Sequence, residues 1–283
     1  MKKEKFLIPI LAASLLCGCA ANNNNNNNSA SPSTTGESTT NSTQTSAPTA
    51  KAVAGINDLS TEKVIWGPGN ITDHQQPNDP VLLQRQFSSF NASWLLENEK
   101  SVCLTFDEGY ENGYTPQILD VLKEKQVSAI FFVTYDFAKD NPDLIRRMID
   151  EGHTVGNHTY RHYTMDEVSE EVAREEVMFL HDYILKEYDY SMTLFRFPKG
   201  EFSEQALGIV NELGYKSVFW SFAYADWDTQ NQVDETKAFT TICESTHPGE
   251  ILLLHAVSQT NADILPKVID DIRQQGYEFT TQL

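Results

Sequence analysis

Two histidines four residues apart form the first pattern in this sequence with a chemical meaning. His158 and His162 have three residues between them. One turn of helix would turn both imidazole rings to the same side, where they could bind one metal ion. Taken alone, the spacing is explained equally well by two unrelated surface or core histidines.

Two adjacent carboxylates form the second pattern. Asp107 and Glu108 directly follow an apolar run at residues 102–106. Neighbouring side chains at a strand end point in different directions, so one carboxylate could bind a cation while the other accepts a proton from water. An isolated pair would indicate only an acidic turn. Beside His158 and His162, the pair predicts an open site for a divalent ion, with zinc as the first expectation.

The chain around these residues alternates between apolar runs and amphipathic segments. The apolar runs predict seven strands buried on both faces, at residues 101–106, 128–134, 154–157, 194–197, 216–221, 250–255 and 277–280. Capping residues and glycines predict helices over residues 114–125, 142–151, 165–188, 203–213 and 261–275. This order predicts an α/β fold whose parallel sheet closes, or nearly closes, into a barrel.

Polar residues interrupt the apolar pattern at five strand ends. They are Asp107 with Glu108, Asn157 with His158, Arg196, Asp226, and His255. In parallel barrels, catalytic groups collect at the carboxyl ends of the strands. Solvated loops explain one or two ionisable residues there, but five together indicate a functional site.

The same residues carry a resemblance to the polysaccharide deacetylases, which are carbohydrate esterase family four with a NodB-homology domain. The matching segments, in the order of the family's motifs, are Thr105–Gly109, His158–His162, Arg196–Gly200, Asp226–Trp227 and Leu253–His255. The resemblance covers residues 97–283 and implies that they form a metal-dependent catalytic domain with a distorted (β/α)7 barrel.

The resemblance implies a role for each matching residue. Asp107 would be the general base, Arg196 would orient it and keep it ionised, and His255 would protonate the departing amine. The implied metal ligands are Glu108, His158 and His162, and the ion would be Zn, with Co or Mn as alternatives.

The remaining matches imply contacts with the substrate. Trp227 and Leu253 would form an apolar pocket for the acetyl methyl group. A backbone N–H near Lys199 would stabilise the negative charge of the tetrahedral intermediate. Asp226 would also contact the substrate.

The sequence departs from the family pattern at two positions. Glu108 stands where the family has Asp, and Ala223 stands where it has another Asp. The segment 106–115, with Trp66–Gly67 and residues 74–77, resembles the muramic δ-lactam branch. That branch implies deacetylation of N-acetylmuramic acid in peptidoglycan, the step before lactam closure in spore cortex. The alternatives are a deacetylase for N-acetylglucosamine, chitin oligomers or xylan, and a glycan-binding lipoprotein without catalysis.

The beginning of the chain predicts export and lipid attachment. Lys2, Lys3 and Lys5 precede a short apolar run at residues 6–16. The residues that follow resemble a bacterial lipobox, which implies cleavage before Cys19 and its acylation. The implied organisation is a signal peptide at 1–18, a tether rich in Asn, Ser, Thr and Pro at 19–52, an N-terminal extension at 53–96, and the catalytic domain. We therefore expect a lipid-anchored protein outside the cytoplasm.

Composition limits the partners of the protein. The formal net charge is −19, which argues against electrostatic capture of nucleic acid or anionic lipid, so no nucleic-acid partner is expected. With 40% hydrophobic residues, the chain can form a substantial core. Cys103 and Cys243 are expected to be two buried thiols, and a disulfide between them is the alternative.

Overall fold

The computed structural model describes residues 55–283, and the predictions for residues 1–18, for the tether at 19–52 and for Cys19 lie outside the described residues. The strands within this range are β1 (Ala92–Ser93), β2 (Ser101–Glu108), β3 (Ile130–Val133), β4 (Thr154–Asn157), β5 (Leu194–Phe195), β6 (Lys216–Val218), β7 (Phe222–Ala223), β8 (Ile251–His255) and β9 (Glu278–Phe279). The helices are α1 (Asn78–Gln86), α2 (Thr115–Lys125), α3 (Tyr135–Asp140), α4 (Pro142–Asp150), α5 (Glu170–Tyr188), α6 (Glu204–Glu212), α7 (Glu235–Ser245) and α8 (Gln259–Gln274).

The strands form one parallel sheet in the order β1-β6-β5-β4-β3-β2-β8-β7, and β9 pairs with the beginning of β2. Central β2 is paired on one side with β3 and on the other with β8. No ladder joins β1 to β7 among residues 55–283, so the sheet is an incomplete barrel with helices around it. The predicted α/β fold with a distorted barrel is therefore confirmed.

The predicted strands all occur, and the differences are local. The run at 216–221 forms a strand only at β6, because the chain leaves the sheet at residues 219–221 before β7 pairs with β8. Helix α5 begins at Glu170 instead of 165, since the hydroxyl of Ser169 accepts the N–H of Val172 and caps it. Helices α1, α3 and α7 were not among the predicted elements.

The segment before residue 97 packs on the sheet and on the loop after β5. Strand β1 extends the sheet beside β6. The indole N–H of Trp66 donates to the carbonyl of Gly200 at 2.9 Å, and the ring lies 5.1 Å from that of Trp220 between centroids. The buried Trp94 ring stacks on Phe219 at 4.2 Å. Residues 55–96 thus form part of the wall next to the strand ends.

Both cysteines of the described chain are buried in the interior. Cys103 and Cys243 are free thiols, as the sequence predicted, and the alternative disulfide is not formed. Burial raises the pKa of each thiol to about 12, which keeps both of them protonated and unreactive. None of the helices between residues 55 and 283 has the length and apolar character needed to cross a membrane.

Candidate active site

A buried ion pair lies at the centre of the strand ends. Arg196 follows β5, is fully buried, and donates from Nη1 to Asp107 Oδ1 at 2.9 Å and to Thr105 Oγ1 at 2.8 Å. Its other nitrogens donate to the carbonyl oxygens of Val218 at 2.9 Å and Phe219 at 3.0 Å. Four hydrogen bonds therefore hold one guanidinium between β2 and the end of β6.

This ion pair determines the charge state of Asp107. Burial alone would raise the pKa of the Asp107 carboxyl, but the positive charge of Arg196 outweighs it and the pKa is lowered. Removing one partner of a buried pair typically costs about 3–5 kcal/mol, because the other charge stays buried without compensation. The Asp that the family has at Ala223 is replaced here by backbone carbonyl groups as partners of Arg196.

The two histidines meet as the sequence predicted. His158 Nδ1 donates to the carbonyl of Arg196 at 2.8 Å, so in the neutral ring Nε2 carries a lone pair. That atom lies 3.2 Å from Nε2 of His162 and 3.6 Å from Oδ2 of Asp107. Burial lowers the pKa of His158, and burial with the charge of His158 lowers the pKa of His162 to about 4. Both rings are therefore neutral at pH 7.

The backbone that presents these rings differs from the expected helical turn. Residues 158–162 form a loop in which Thr159 and His162 have left-handed φ angles of 75° and 60°. The Thr159 N–H donates to Asn157 Oδ1, and the His162 N–H donates to Thr159 Oγ1, each at 2.9 Å. Side-chain hydrogen bonds thus replace the helical ones that the i, i+4 spacing suggested.

Glu108 is the predicted ligand that the structure keeps apart from the histidines. Its carboxyl is fully buried, and neither oxygen has a hydrogen-bond partner. Burial, together with the charges of Glu111 and Asp107, raises its pKa well above the ordinary value. Within residues 55–283, no group of three or more His, Cys, Asp or Glu side chains is arranged to hold a metal ion. The expected three-ligand set is therefore not assembled, because neighbouring strand residues face opposite ways.

His255 ends β8 and is held by a carboxylate behind it. Its Nδ1 donates to Asp226 Oδ1 at 2.7 Å, and its backbone N–H donates to Asp226 Oδ2 at 2.8 Å. Burial alone would lower the pKa of His255, but the hydrogen bond and charge of Asp226 outweigh it and the pKa is raised. The Asp226 side chain has no exposed surface and does not line the cavity, so in this structure it contacts His255 from behind.

A cavity of about 460 Å³ opens over these residues. Its lining consists of Asp107, Gly109, Tyr110, His158, His162, Lys199, Trp220, Ala223, Trp227, Leu253, His255 and Val257. Seven predicted site residues therefore face one space, whereas Glu108, Arg196 and Asp226 lie outside the lining. Apolar Leu253 pairs in register with Ala223, and the exposed Trp227 ring lies 6.0 Å from the His255 ring between centroids.

Two functional positions were missed by the sequence reasoning. Trp220 lines the cavity and lies near the end of the predicted strand 216–221. An aromatic residue at a strand end is the sequence signal that could have identified this position. Asn261, at the beginning of α8, donates from Nδ2 to Asp226 Oδ2 at 2.5 Å and to the carbonyl of His255 at 3.2 Å. No motif includes Asn261, because only the fold brings α8 against Asp226.

Comparison with known proteins agrees with this geometry. The family sequence model described as "Polysaccharide deacetylase" matches residues 97–218. The chain is 40% identical over 232 residues to the peptidoglycan-N-acetylmuramic acid deacetylase PdaA of Bacillus subtilis, covering 81% of this chain and 88% of that protein. The structure of that PdaA, described as a family 4 carbohydrate esterase, matches with a TM-score of 0.75 over 78% of this chain and 96% of that one. A peptidoglycan-N-acetylglucosamine deacetylase of Bacillus cereus is 31% identical over 188 residues, covering 65% of this chain and 67% of that protein.

Asp226→Asn tests how His255 is kept protonated. The substitution removes the negative charge but leaves an acceptor for Nδ1, so we expect the pKa of His255 to fall. The imidazolium would then be lost at lower pH than in the wild type, as measured by NMR titration of the ring. Asp263→Asn, which removes an exposed carboxylate on α8, is the control and should leave the His255 titration unchanged. An unchanged pKa in Asp226→Asn would contradict this account.

Proposed function

This chain belongs to the polysaccharide deacetylase family and is a hydrolase, and on that premise we propose that it removes the acetyl group from N-acetylmuramic acid in peptidoglycan. The observation that carries the proposal is the position of Asp107 opposite His255. The two residues are register partners on neighbouring β2 and β8, and both line one cavity. A candidate base and a candidate acid therefore lie side by side at the same cavity.

The charge states of these two residues suit amide hydrolysis. Asp107 has a lowered pKa and is ionised at neutral pH, so it can accept a proton from the attacking water. The water oxygen bonds to the acetamide carbon. His255 has a raised pKa and donates its Nε2 proton to the nitrogen as the C–N bond breaks. The products are acetate and a free amine on the sugar.

The cavity also provides groups for the carbonyl and the methyl of the acetyl group. The backbone N–H of Lys199 donates to no acceptor in the described part of the chain, and the residue lines the cavity. We assign this N–H to the oxyanion of the tetrahedral intermediate. Leu253 and Trp227 offer apolar surface at the same wall, where the acetyl methyl group would be buried.

The choice of muramic acid rests on the relative with the higher identity, whose name specifies that sugar. We expect peptide-free peptidoglycan treated with wild-type protein to lose acetyl groups from muramic acid, as measured by mass spectrometry. Asp107→Asn should lower this rate about 100-fold or more, since it removes the general base. Circular dichroism checks that the variant is folded.

Two other results of this experiment would overturn the proposal. Acetate release from N-acetylglucosamine polymers, chitin oligomers or acetylated xylan, with none from muramic acid, would assign a different substrate to the same chemistry. Binding of the glycan without release of acetate from any of these polymers, with Zn, Co or Mn supplied, would assign a non-catalytic function.

A divalent metal fits the histidine pair. His158 Nε2 has its lone pair free because Nδ1 donates to a carbonyl, and His162 Nε2 faces it at 3.2 Å. We propose that these two atoms hold the ion, with Asp107 as the nearest carboxylate. When bound, zinc, or alternatively cobalt or manganese, would act as a Lewis acid on the acetyl carbonyl.

Metal binding can be tested by measuring the number of metal ions bound per chain. We expect one zinc ion per wild-type chain by elemental analysis, and none after His158→Gln or His162→Gln, because each substitution removes an imidazole ligand. Chelation should abolish acetate release, and adding Zn, Co or Mn should restore it. His153→Gln is the histidine control, since His153 is buried away from the cavity and accepts the Ala129 N–H. Full activity of the metal-free wild type would contradict the proposal.

The substrate requires a location outside the cytoplasm, and we propose that a lipid on Cys19 anchors the protein to the membrane. Support comes from the basic start, the apolar run and the lipobox-like residues before Cys19. Cys19→Ser should abolish incorporation of a labelled fatty acid and release the protein from the membrane fraction. Cys17→Ser is the matched control and should keep the label. Equal labelling of both variants would exclude Cys19 as the attachment site.

A further inference from the structure

One lysine, Lys199, lies in the wall of the catalytic cavity. Lys199 is the only Lys or Arg among the residues that line this cavity, in the part of the chain that the structure describes. Its side chain is exposed, and it belongs to the turn Pro198–Gly200 after β5. The cavity therefore has a single permanent positive charge at its surface.

The charge of Lys199 has no ion-pair partner within residues 55–283, unlike the charges of Lys63 and Arg161. Lys63 lies 2.9 Å from Glu201, and Arg161 lies 2.6 Å from Glu175. Lys199 has no carboxylate within 4 Å in residues 55–283, although the chain has 40 acidic and only 21 basic side chains. An ammonium group without a partner can pair with an anionic ligand without first breaking an ion pair.

Lys199 also lines a second cavity. A second cavity of about 270 Å³ is lined by Lys63, Val64, Ile65, Trp66, Gly67, Lys199, Gly200, Glu201 and Trp220. Lys199 and Trp220 line both spaces. Lys199 and Trp220 therefore form the wall that the two spaces share.

The backbone at Lys199 has a conformation that glycine adopts more easily than lysine. Its φ is 58°, in the left-handed region that glycine occupies at no steric cost. A non-glycine residue there costs about 1 kcal/mol or more, and such strain clusters at functional sites. The turn itself would be more easily formed by glycine, so the fold gives no reason for lysine.

The proposed substrate has a group that matches this position. Muramic acid differs from glucosamine by a lactyl ether on O3. This oxygen is bonded to C3, the carbon next to the C2 that carries the acetamide. When the acetamide lies between Asp107 and His255, the lactyl carboxylate must therefore lie close to the catalytic centre. A neighbouring cation can bind this carboxylate, and an additional cavity gives space to the rest of the lactyl group.

We infer that Lys199 binds the lactyl carboxylate of muramic acid and thereby selects this sugar over N-acetylglucosamine. The inference rests on the proposed function and adds a specificity-determining residue to it. The ammonium group binds the carboxylate, while the backbone N–H of the same residue faces the acetyl group. The lactyl substituent extends along Trp220 into the second cavity.

The test compares two substrates that differ only in this charge. Lys199→Gln should lower kcat/KM about tenfold on peptide-free N-acetylmuramyl glycan, mainly through a higher KM, because an ion pair to the substrate is lost. On the same glycan with its lactyl carboxylate methylated, the loss should fall below about threefold. Lys199→Arg should recover most of the activity on the free acid. Lys267→Gln, at an exposed lysine of α8, is the control for net charge.

The outcomes separate this inference from the proposed function. Equal losses on the free and methylated glycans, with wild type active on both, would overturn the assignment of Lys199 alone. A wild type that releases no acetate from muramic acid would overturn the proposed function and the inference together, and that result needs no variant. A loss confined to the free acid, with recovery in Lys199→Arg, would support both.

Discussion

The buried ion pair between Arg196 and Asp107 is the interaction on which the rest of the site depends. The guanidinium is fully buried and has four hydrogen bonds, so its charge is compensated only while Asp107 stays ionised. The backbone carbonyl of Arg196 also accepts the Nδ1 proton of His158. Arg196 therefore determines both the ionisation of Asp107 and the tautomer of His158, a candidate metal ligand. Such pairs contribute little net stability, and their value lies in fixing geometry.

Burial acts on Asp107 and His255 in its usual direction, but in each case a charged partner outweighs it. Asp107 would become neutral in an apolar interior, but Arg196 keeps it ionised. His255 would lose its proton, but Asp226 retains it. A base that is ionised and an acid that is protonated can then coexist at one pH. The second carboxylate is itself fixed by Asn261, so the acid is positioned through two layers of side chains.

The sequence predicted most of the fold and the placing of Asp107 and His255 at neighbouring strand ends, because both depend on local patterns. Apolar runs mark strands buried on two faces, and Asp107 and His255 end such runs. What it could not predict depends on contacts between distant segments. The role of Asp226 follows from Asn261, 35 residues later in the chain. The loop at 158–162 follows from side-chain hydrogen bonds that a spacing rule cannot express.

The two departures from the family pattern have different consequences in this fold. At Ala223 no carboxylate is present, and within residues 55–283 Arg196 is bonded to the carbonyl groups of Val218 and Phe219 and to the carboxylate of Asp107. Glu108 is not compensated: both oxygens are buried without partners, which favours the neutral acid. A decaying site would lose its base, its acid and their supporting residues without order. Here Arg196 still pairs with Asp107 and Asp226 with His255, and the uncompensated departure is confined to the carboxyl group of Glu108.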